Sequence, residues 1–317
     1  MLEGRVIEAV KALYRVDLGG RILNCRLRGS LRKRFEYEGT AERAGRVARA
    51  VAREKMEIIA LGDRVIIEES DSNEGIILEV LPRQSQFSRL GFRGQTRTMV
   101  CNLDQAVIAF SVAEPRLDPW KLDRFVIASE LQGLSTLICV NKCDLIADPA
   151  ILNCLADFRH AGYPVVMTSA ILGTGLEELK RYLAGKLSVI TGPSGVGKSS
   201  LLNAIEPNLN LHTAATGSIT HQGRHTTTSG RLIPLECGGW VADTPGLRRF
   251  DLLESDAGEI AQAFVEFRPF LGTCRFHNCG HSSEPGCEVQ AAVEAGLISR
   301  RRLESMLQLI VEAAQRN

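Results

Sequence analysis

The sequence predicts an α/β core, a mainly parallel doubly wound sheet, with a small β-barrel before it and a mostly helical module after it. Three observations carry this. Between about residues 100 and 250, apolar strand-like runs alternate with helix-like segments, the pattern of successive βαβ units. Ahead of them, about five short alternating segments crowd into the first 96 residues, which suits a small barrel. Beyond residue 250 the chain turns amphipathic, and cysteines gather around histidines.

The barrel segments are Gly4 to Val10, Leu13 to Leu18, Arg21 to Leu27, Asp63 to Glu68 and Gly75 to Val80. The last two are joined by the polar turn Ser70-Asp71-Ser72-Asn73. An OB-type barrel fits, and an SH3-like one fits the same pattern. Charge is uneven here. Arg21, Arg26, Arg28, Arg32, Lys33 and Arg34 follow one another with no acid between them. Thr40 to Met56 predicts a helix, with Arg43, Arg46, Arg49 and Arg53 on one face. A solvated face would explain that helix alone. A barrel beside it points to contact with a nucleic-acid backbone. Tyr14, Phe35 and Tyr37 are the only aromatics before Phe87, so base stacking is a secondary expectation. Pro82 to Arg97 reads as a polar, basic connector.

The bulk numbers exclude some classes. The chain has 317 residues, with 38 basic against 37 acidic side chains, so any nucleic-acid surface must be local. No apolar run reaches about 18 residues and no signal-peptide core is present, which predicts a cytoplasmic protein with no membrane partner. Of nine cysteines, Cys25, Cys101, Cys139, Cys143, Cys154 and Cys237 are scattered and suit reduced, buried positions.

In the central segment, Gln105 to Val112 is a buried strand, and Asp118-Pro119 opens a helix that ends near Gly133. Ser135 to Val140 is the next strand, Asp148-Pro149 opens another helix, Pro164 to Thr168 is a strand, and Gly175 to Leu183 a helix. The apolar run Leu187 to Ile190 then leads into Gly192-Pro193-Ser194-Gly195-Val196-Gly197-Lys198-Ser199-Ser200. A strand, then GxxxxGKS, then a helix start make a phosphate-binding P-loop. Small residues let backbone N–H groups curl around a phosphate, and the helix N-terminus adds free donors. Lys198 would reach the β/γ-phosphates and Ser199 would ligate Mg²⁺.

Asn141-Lys142-Cys143-Asp144 lies at a strand end and Ser169-Ala170 one βα unit later. Asn-Lys-x-Asp is the guanine-reading motif of Ras-like GTPases. A carboxylate at Asp144 accepts from both guanine donors and would repel adenine. Asn141 holds the loop, the Lys142 stem covers the base face, and Ser169-Ala170 offers a backbone N–H to the guanine oxygen. After the P-loop, Gly223-Arg224-His225-Thr226-Thr227-Thr228 reads as a switch, with Thr227 assigned as a Mg²⁺ ligand. Trp240 to Asp243 is a strand running into Asp243-Thr244-Pro245-Gly246, where Asp243 would hold Mg²⁺ through water and Gly246 would sense the γ-phosphate.

The motif order is rotated. Ras-like proteins run P-loop, switch, DxxG, NKxD, Ser-Ala; this chain starts at NKxD. The central domain is therefore a circularly permuted P-loop GTPase domain, its ordinary ends joined through Leu183 to Leu187. DxxG now leads directly into the C-terminal segment, so a nucleotide-dependent shift can pull on that segment. Leu247 stands where Ras-like proteins have a water-orienting glutamine, which predicts a low intrinsic rate. His225, or a group from a partner, could substitute.

At the C-terminus, Gly258 to Phe267 and Glu288 to Ala313 read as helical, with Arg300, Arg301 and Arg302 exposed. Between them, Cys274, Cys279, His281 and Cys287 give C-x₄-C-x-H-x₅-C, a set that suits one structural zinc. His277 is the rival nitrogen ligand.

With these elements quoted, the chain resembles the circularly permuted, small-ribosomal-subunit-dependent GTPases of bacteria and plastids, the RsgA family. The resemblance runs over nearly the whole length: Arg28-Gly29-Ser30-Leu31-Arg32-Lys33, Gly62-Asp63-Arg64-Val65, the NKCD stretch, the P-loop, Gly223 to Thr228, Asp243 to Gly246 and the Cys-Cys-His-Cys set. It implies an OB domain over 1–96, a permuted GTPase domain over 97–250 and a zinc domain over 251–317. It implies a late small-subunit assembly factor that binds rRNA and hydrolyses GTP to GDP when stimulated by the subunit. The family's switch histidine falls on His225. The arginine-rich stretch from about Phe35 to Met56 is longer than the resemblance leads one to expect. A nucleotide-sensing RNA-binding scaffold or translation regulator is the alternative, and an ATPase a weaker one. Nothing in the sequence calls for more than a monomer.

Overall fold

The computed structural model describes residues 1–10, 12–29, 33–37, 47–52, 59–71, 73–90, 96–146, 150–209, 230–243 and 255–315. Their contacts divide them into two units. The first holds the described residues up to 103 with 230–234 and 240–243; the second holds 104–209, 235–239 and 255–315.

The first unit is built on strands β1 (Leu2–Val10), β2 (Leu13–Asp17), β3 (Ile22–Leu27), β4 (Lys33–Tyr37), β5 (Val47–Ala52), β6 (Arg64–Asp71), β7 (Glu74–Val80), β8 (Gln86–Leu90) and β9 (Thr96–Cys101). Five of them run in the order β1-β2-β3-β7-β6, and β6 returns to pair with β1 from Leu2↔Ile67 to Arg5↔Arg64. Only the β3–β7 pair in this ring is parallel. This is a closed, five-stranded Greek-key barrel of the OB type. The strand period shows why it closes. In β3, Leu23, Cys25 and Leu27 point inward and are buried, while Ile22, Asn24 and Arg26 face out. The interior joins Val6, Val16, Val65, Ile67 and Ile77 to that row. Burial pushes the Cys25 thiol up to about 11, so it stays protonated. The Gly62-Asp63 corner has a structural role of its own. Asp63 is fully buried, accepts the Ala60 N–H at 2.7 Å, and takes a two-pronged bond from Arg83 at 2.8 Å on each oxygen.

Two readings of this region need correction. The stretch expected to be helical contains β5, paired antiparallel with β4 from Lys33↔Ala52 to Tyr37↔Val47. Residues 47–52 alternate Val-Ala-Arg-Ala-Val-Ala, so the period-2 pattern and β-branched Val47 and Val51 outweigh the three-residue spacing of the arginines. The rest of that stretch, including Arg43, Arg46 and Arg53, lies outside the described residues. The connector expected over Pro82 to Arg97 is in part a second hairpin, β8 with β9, in register from Gln86↔Cys101.

The second unit starts at β10 (Gln105–Ser111) and continues through α1 (Pro119–Glu130), β11 (Ser135–Asn141), α2 (Ala150–His160), β12 (Val165–Met167), α3 (Leu176–Leu183), β13 (Leu187–Thr191) and α4 (Lys198–Ile205). The strands order as β12-β11-β10-β13 and every pair is parallel. All their C-terminal ends therefore open on one edge, where ligands bind in such sheets. Asp118 caps α1 by accepting from the N–H groups of Trp120 and Lys121, with Pro119 at the first helical position. Ile108, Phe110, Ile138 and Val140 pack against Leu122 and Val126 of α1 and Leu155 and Phe158 of α2. Each such side chain contributes roughly 1.5–3 kcal/mol by leaving water. The permutation joint is short. Residues 184–186 connect α3 to β13, and Gly185 donates to the Gly238 carbonyl.

Strands β14 (Arg231–Leu235) and β15 (Gly239–Asp243) follow, then α5 (Ala257–Ala263), α6 (Glu288–Glu294) and α7 (Arg300–Ala314). Asp256 and Glu259 form a reciprocal capping box at the start of α5. The single helix expected from Glu288 to Ala313 is two helices, because Gly296 takes a left-handed φ of 73° and stops α6. The expected exposure of the arginine run also fails. Arg300 is exposed, but Arg302 is 1 % exposed and lies among acids and rings. It reaches Asp123 of α1 at 2.5 Å and Glu266 at 2.5 and 3.0 Å, and stacks on Phe264 and Phe158. Arg301 joins Asp123 at 2.6 Å to Asp157 of α2 at 2.9 Å. A run of three arginines looks like a solvated face only while the buried acid opposite is unknown.

Candidate functional site: a nucleotide cradle and a thiol-imidazole cluster

The loop after β13 curls back on itself. Gly192 has φ 140°, and a Cβ there would overlap the carbonyl oxygen of Ala109 on β10. Gly197 has φ 92° and would drive a Cβ into the Asn141 amide. Only glycine fits at either place. Gly197 stands at the N-cap of α4 with no side chain to bond the helix end, a setting that suits an anion. Lys198, the first residue of α4, folds over the loop and donates to the carbonyls of Gly192 at 2.8 Å and Pro193 at 2.6 Å.

Asn141 ends β11 and is 2 % exposed. Its Nδ2 donates to the Val196 carbonyl in the P-loop at 3.0 Å, and its Oδ1 accepts from the Ala170 N–H at 3.2 Å. The Thr168 hydroxyl donates to the same Oδ1 at 3.4 Å. One side chain thus ties the three loops that leave β11, β12 and β13. Lys142 is held in a left-handed conformation (φ 59°), with Nζ 2.5 Å from the Glu114 carbonyl. Cys143 donates its N–H to the Thr168 carbonyl at 3.0 Å; burial pushes its thiol up, helped by the Asp144 charge. Asp144 stands exposed in the next turn, its carboxylate open to a ligand. Ser169 is buried, and its hydroxyl accepts the Leu172 N–H at 3.1 Å, which shapes the loop around Ala170. The structure therefore brings Asn141 to Asp144, Ser169, Ala170 and Gly192 to Ser200 to one edge of one sheet. Asp243 ends β15, with the Arg231 guanidinium 4.0 Å away. His225, Thr227, Gly246 and Leu247 lie outside the described residues.

Farther along, Cys274, Cys279, His281 and Cys287 place their ligand atoms within 4.8 Å of one another. A tetrahedral zinc, at about 2.3 Å from sulfur and about 2.0 Å from nitrogen, sets edges of about 3.8 Å between sulfurs and about 3.5 Å from sulfur to nitrogen. The structure gives 3.9 Å for Cys274 to Cys287, and 3.6 and 3.5 Å from those sulfurs to His281 Nδ1. The donor set fits one zinc with no open position. Burial lowers the pKa of the His281 imidazole against the pull of Glu284, which favours the neutral form that a ligand requires. Burial pushes the Cys279 thiol up to about 11. At Cys274 the same burial is outweighed by the backbone N–H groups of Glu288 and Val289, which favour the thiolate. His277 is exposed and outside the cluster, which leaves His281 as its nitrogen.

Sequence reasoning missed two groups of residues. Glu284 and Gln290 grip the loop that carries His281, and Arg301 and Arg302 bind the buried Asp123. The signal for the second was an acid at Asp123, one position after the core residue Leu122 in an otherwise apolar helix face.

A P-loop that follows its own base-reading loops in the chain, yet shares their parallel sheet, defines a circularly permuted P-loop GTPase. Comparisons with known proteins agree. The family model described as RsgA GTPase matches residues 80–253. The protein named "Small ribosomal subunit biogenesis GTPase RsgA" of Gemmatimonas aurantiaca is 46 % identical over 255 residues, covering 79 % of this chain and 83 % of that one. Its namesake from Moorella thermoacetica is 40 % identical over 315 residues, covering 99 % and 98 %. Among solved structures, YjeQ from Thermotoga maritima superposes with a TM-score of 0.78 at 31 % identity, covering all of this chain and 99 % of that one. YloQ, described as a circularly permuted GTPase, gives 0.74 at 28 % identity, covering 100 % and 96 %. The chain belongs to the RsgA GTPase family and is a GTP hydrolase.

Proposed function

We propose that this chain acts in late assembly of the small ribosomal subunit, binding the subunit and its rRNA, hydrolysing GTP when the subunit completes the site, and working as a monomer in the cytoplasm. The names of the relatives supply the particle. The observation that carries the nucleotide half is the Asn141 bridge between the Val196 carbonyl and the Ala170 N–H. It makes base reading and phosphate binding one rigid arrangement. In this reading Asp144 takes the two guanine donors, Lys142 and Cys143 line the base, and Ser169 and Ala170 meet its oxygen. Gly192 to Ser200 cradle the phosphates, with Gly246 at the γ-phosphate. Mg²⁺ would be held by Ser199, Thr227 and Asp243. His225 would order the attacking water that Leu247 cannot order.

The barrel is the rRNA-facing part, and supports backbone contact: Arg26 faces outward from β3 and Arg28 follows it, exposed. Cys274, Cys279, His281 and Cys287 would hold one structural zinc, which supplies folding free energy to the C-terminal module. In this reading the functional division is into three domains, 1–96, 97–250 and 251–317. The test is GTP turnover by wild type and His225→Ala with and without purified small subunits. Strong stimulation of wild type, lost in the variant, is expected. Absence of stimulation with intact GTP binding would leave a nucleotide-sensing scaffold instead.

A further inference from the structure

We propose that Glu284 and Gln290 are positioning residues for the histidine of the metal site, clamping the backbone of His281 so that its Nδ1 faces the thiols. The inference rests on the zinc reading above. His281 sits at φ 60°, a left-handed conformation that side-chain-bearing residues seldom adopt unless their surroundings impose it. The backbone on either side of it shows what imposes it. On one side, the Gly280 N–H donates to Glu284 Oε1 at 2.8 Å. On the other, the Ser282 and Ser283 N–H groups donate to Oε2 at 2.9 and 3.0 Å, with the Ser282 hydroxyl at 3.4 Å. Gln290, from α6, completes the grip: its Nε2 donates to the carbonyls of both His281 and Ser282 at 2.8 Å. The Gln290 N–H also points at the Cys287 sulfur, 3.5 Å away.

The geometry leaves little choice of role. Glu284 is not in the cluster of ligand atoms, and both its oxygens are engaged by N–H groups of the loop. Added at Gly280, a Cβ would come within 3.0 Å of Glu284 Oε1, so the loop is drawn close around the carboxylate. Two side chains, one inside the loop and one on the following helix, thus hold the backbone on both sides of His281. A ligand fixed before the metal arrives costs less ordering on binding.

The experiment uses the full chain. Zinc per chain is counted by atomic emission, zinc affinity is measured by competition with a fluorescent chelator, and the cobalt(II)-substituted protein is followed by its visible spectrum. Wild type should hold one zinc. Glu284→Ala and Gln290→Ala should each weaken zinc binding about 10- to 100-fold. Both should shift the cobalt d–d bands towards a site that has lost its imidazole. Glu284→Gln, which keeps one acceptor oxygen and turns the other into a donor, should recover only part of the loss, and Gln290→Ala serves where Glu284→Ala does not fold. Variants with wild-type affinity overturn the proposal. Weaker binding with an unchanged cobalt spectrum overturns it too, because that marks loss of module stability alone. A wild-type chain that takes up no zinc overturns the metal reading itself and the clamp with it.

Discussion

Replacing Asn141 by alanine should separate the three nucleotide loops while leaving the sheet intact. The side chain makes two well-formed bonds, to Val196 O at 3.0 Å and from Ala170 N at 3.2 Å, and a longer one with Thr168 at 3.4 Å. A bond of this kind contributes about 1 kcal/mol net, so the two good ones amount to about 2 kcal/mol. If all of it falls on binding, GDP affinity drops about 30-fold; a share spent on folding reduces this to about tenfold. Fluorescent-GDP titration gives the first quantity, and urea unfolding without nucleotide gives the second. Asn141→Asp is the discriminating partner. It can still accept from Ala170 but cannot donate to the Val196 carbonyl, and it sets a negative charge against that oxygen. It should bind at least as weakly as the alanine variant. A folded Asn141→Ala protein with GDP affinity within twofold of wild type would refute the view that this bridge assembles the site.

The geometry sets three further outcomes. Lys198→Ala removes the one P-loop cation that now rests on Gly192 and Pro193, and should weaken GTP binding by at least about 100-fold, read by the same titration. Arg302→Ala strands Glu266 and leaves Asp123 with Arg301 alone, so the urea midpoint should fall by an amount worth about 3–5 kcal/mol; a loss under about 1 kcal/mol would contradict the buried network. A zinc chelator should abolish amide-exchange protection from Cys274 to Cys287 while leaving the strands β10 to β13 protected, and unchanged exchange in that loop would count against a structural metal.

The parts of the chain that were legible in sequence are those whose chemistry needs a fixed local spacing. The P-loop glycines, the Asn-Lys-x-Asp turn and the Cys and His ligands are each written as a short run of fixed spacing, and the structure sets the first two at strand ends of one sheet and draws the last into one cluster. The barrel was legible because short strands such as β3, with Leu23, Cys25 and Leu27 on one face and Asn24 and Arg26 on the other, follow one another between turns. Residues 47–52 were not, since arginines at helical spacing sit on an alternating Val-Ala frame that satisfies both periods, and pairing with β4 decided between them. Arg302 failed for a different reason. Its partners Asp123 and Glu266 are 179 and 36 residues away, and nothing local marks an arginine that will be buried against them. Glu284 was hidden because a glutamate beside serines in a short loop looks solvated until the three N–H groups turn towards it.

That buried network changes what the permutation can transmit. The order of motifs suggests that a shift at Asp243 would pull on the C-terminal module through the chain that joins them. Yet α7 is fastened to α1 through Asp123 and to α2 through Asp157. Both helices belong to the βα units that carry the base-reading edge. Breaking such a fastening costs about 3–5 kcal/mol. The coupling between a nucleotide site and a distant element is typically about 1–3 kcal/mol. The fastening wins, so the module should ride with α1 and α2 in every nucleotide state. Amide exchange in α1 and α7 should then be the same with GDP and with a non-hydrolysable GTP analogue. In the double variant Arg301→Met with Arg302→Met, which keeps both stems but removes every bond from α7 to Asp123 and Asp157, exchange in α7 should become nucleotide-dependent. Nucleotide-dependent exchange in α7 of wild type would show instead that the direct pull along the chain is stronger than the bolt.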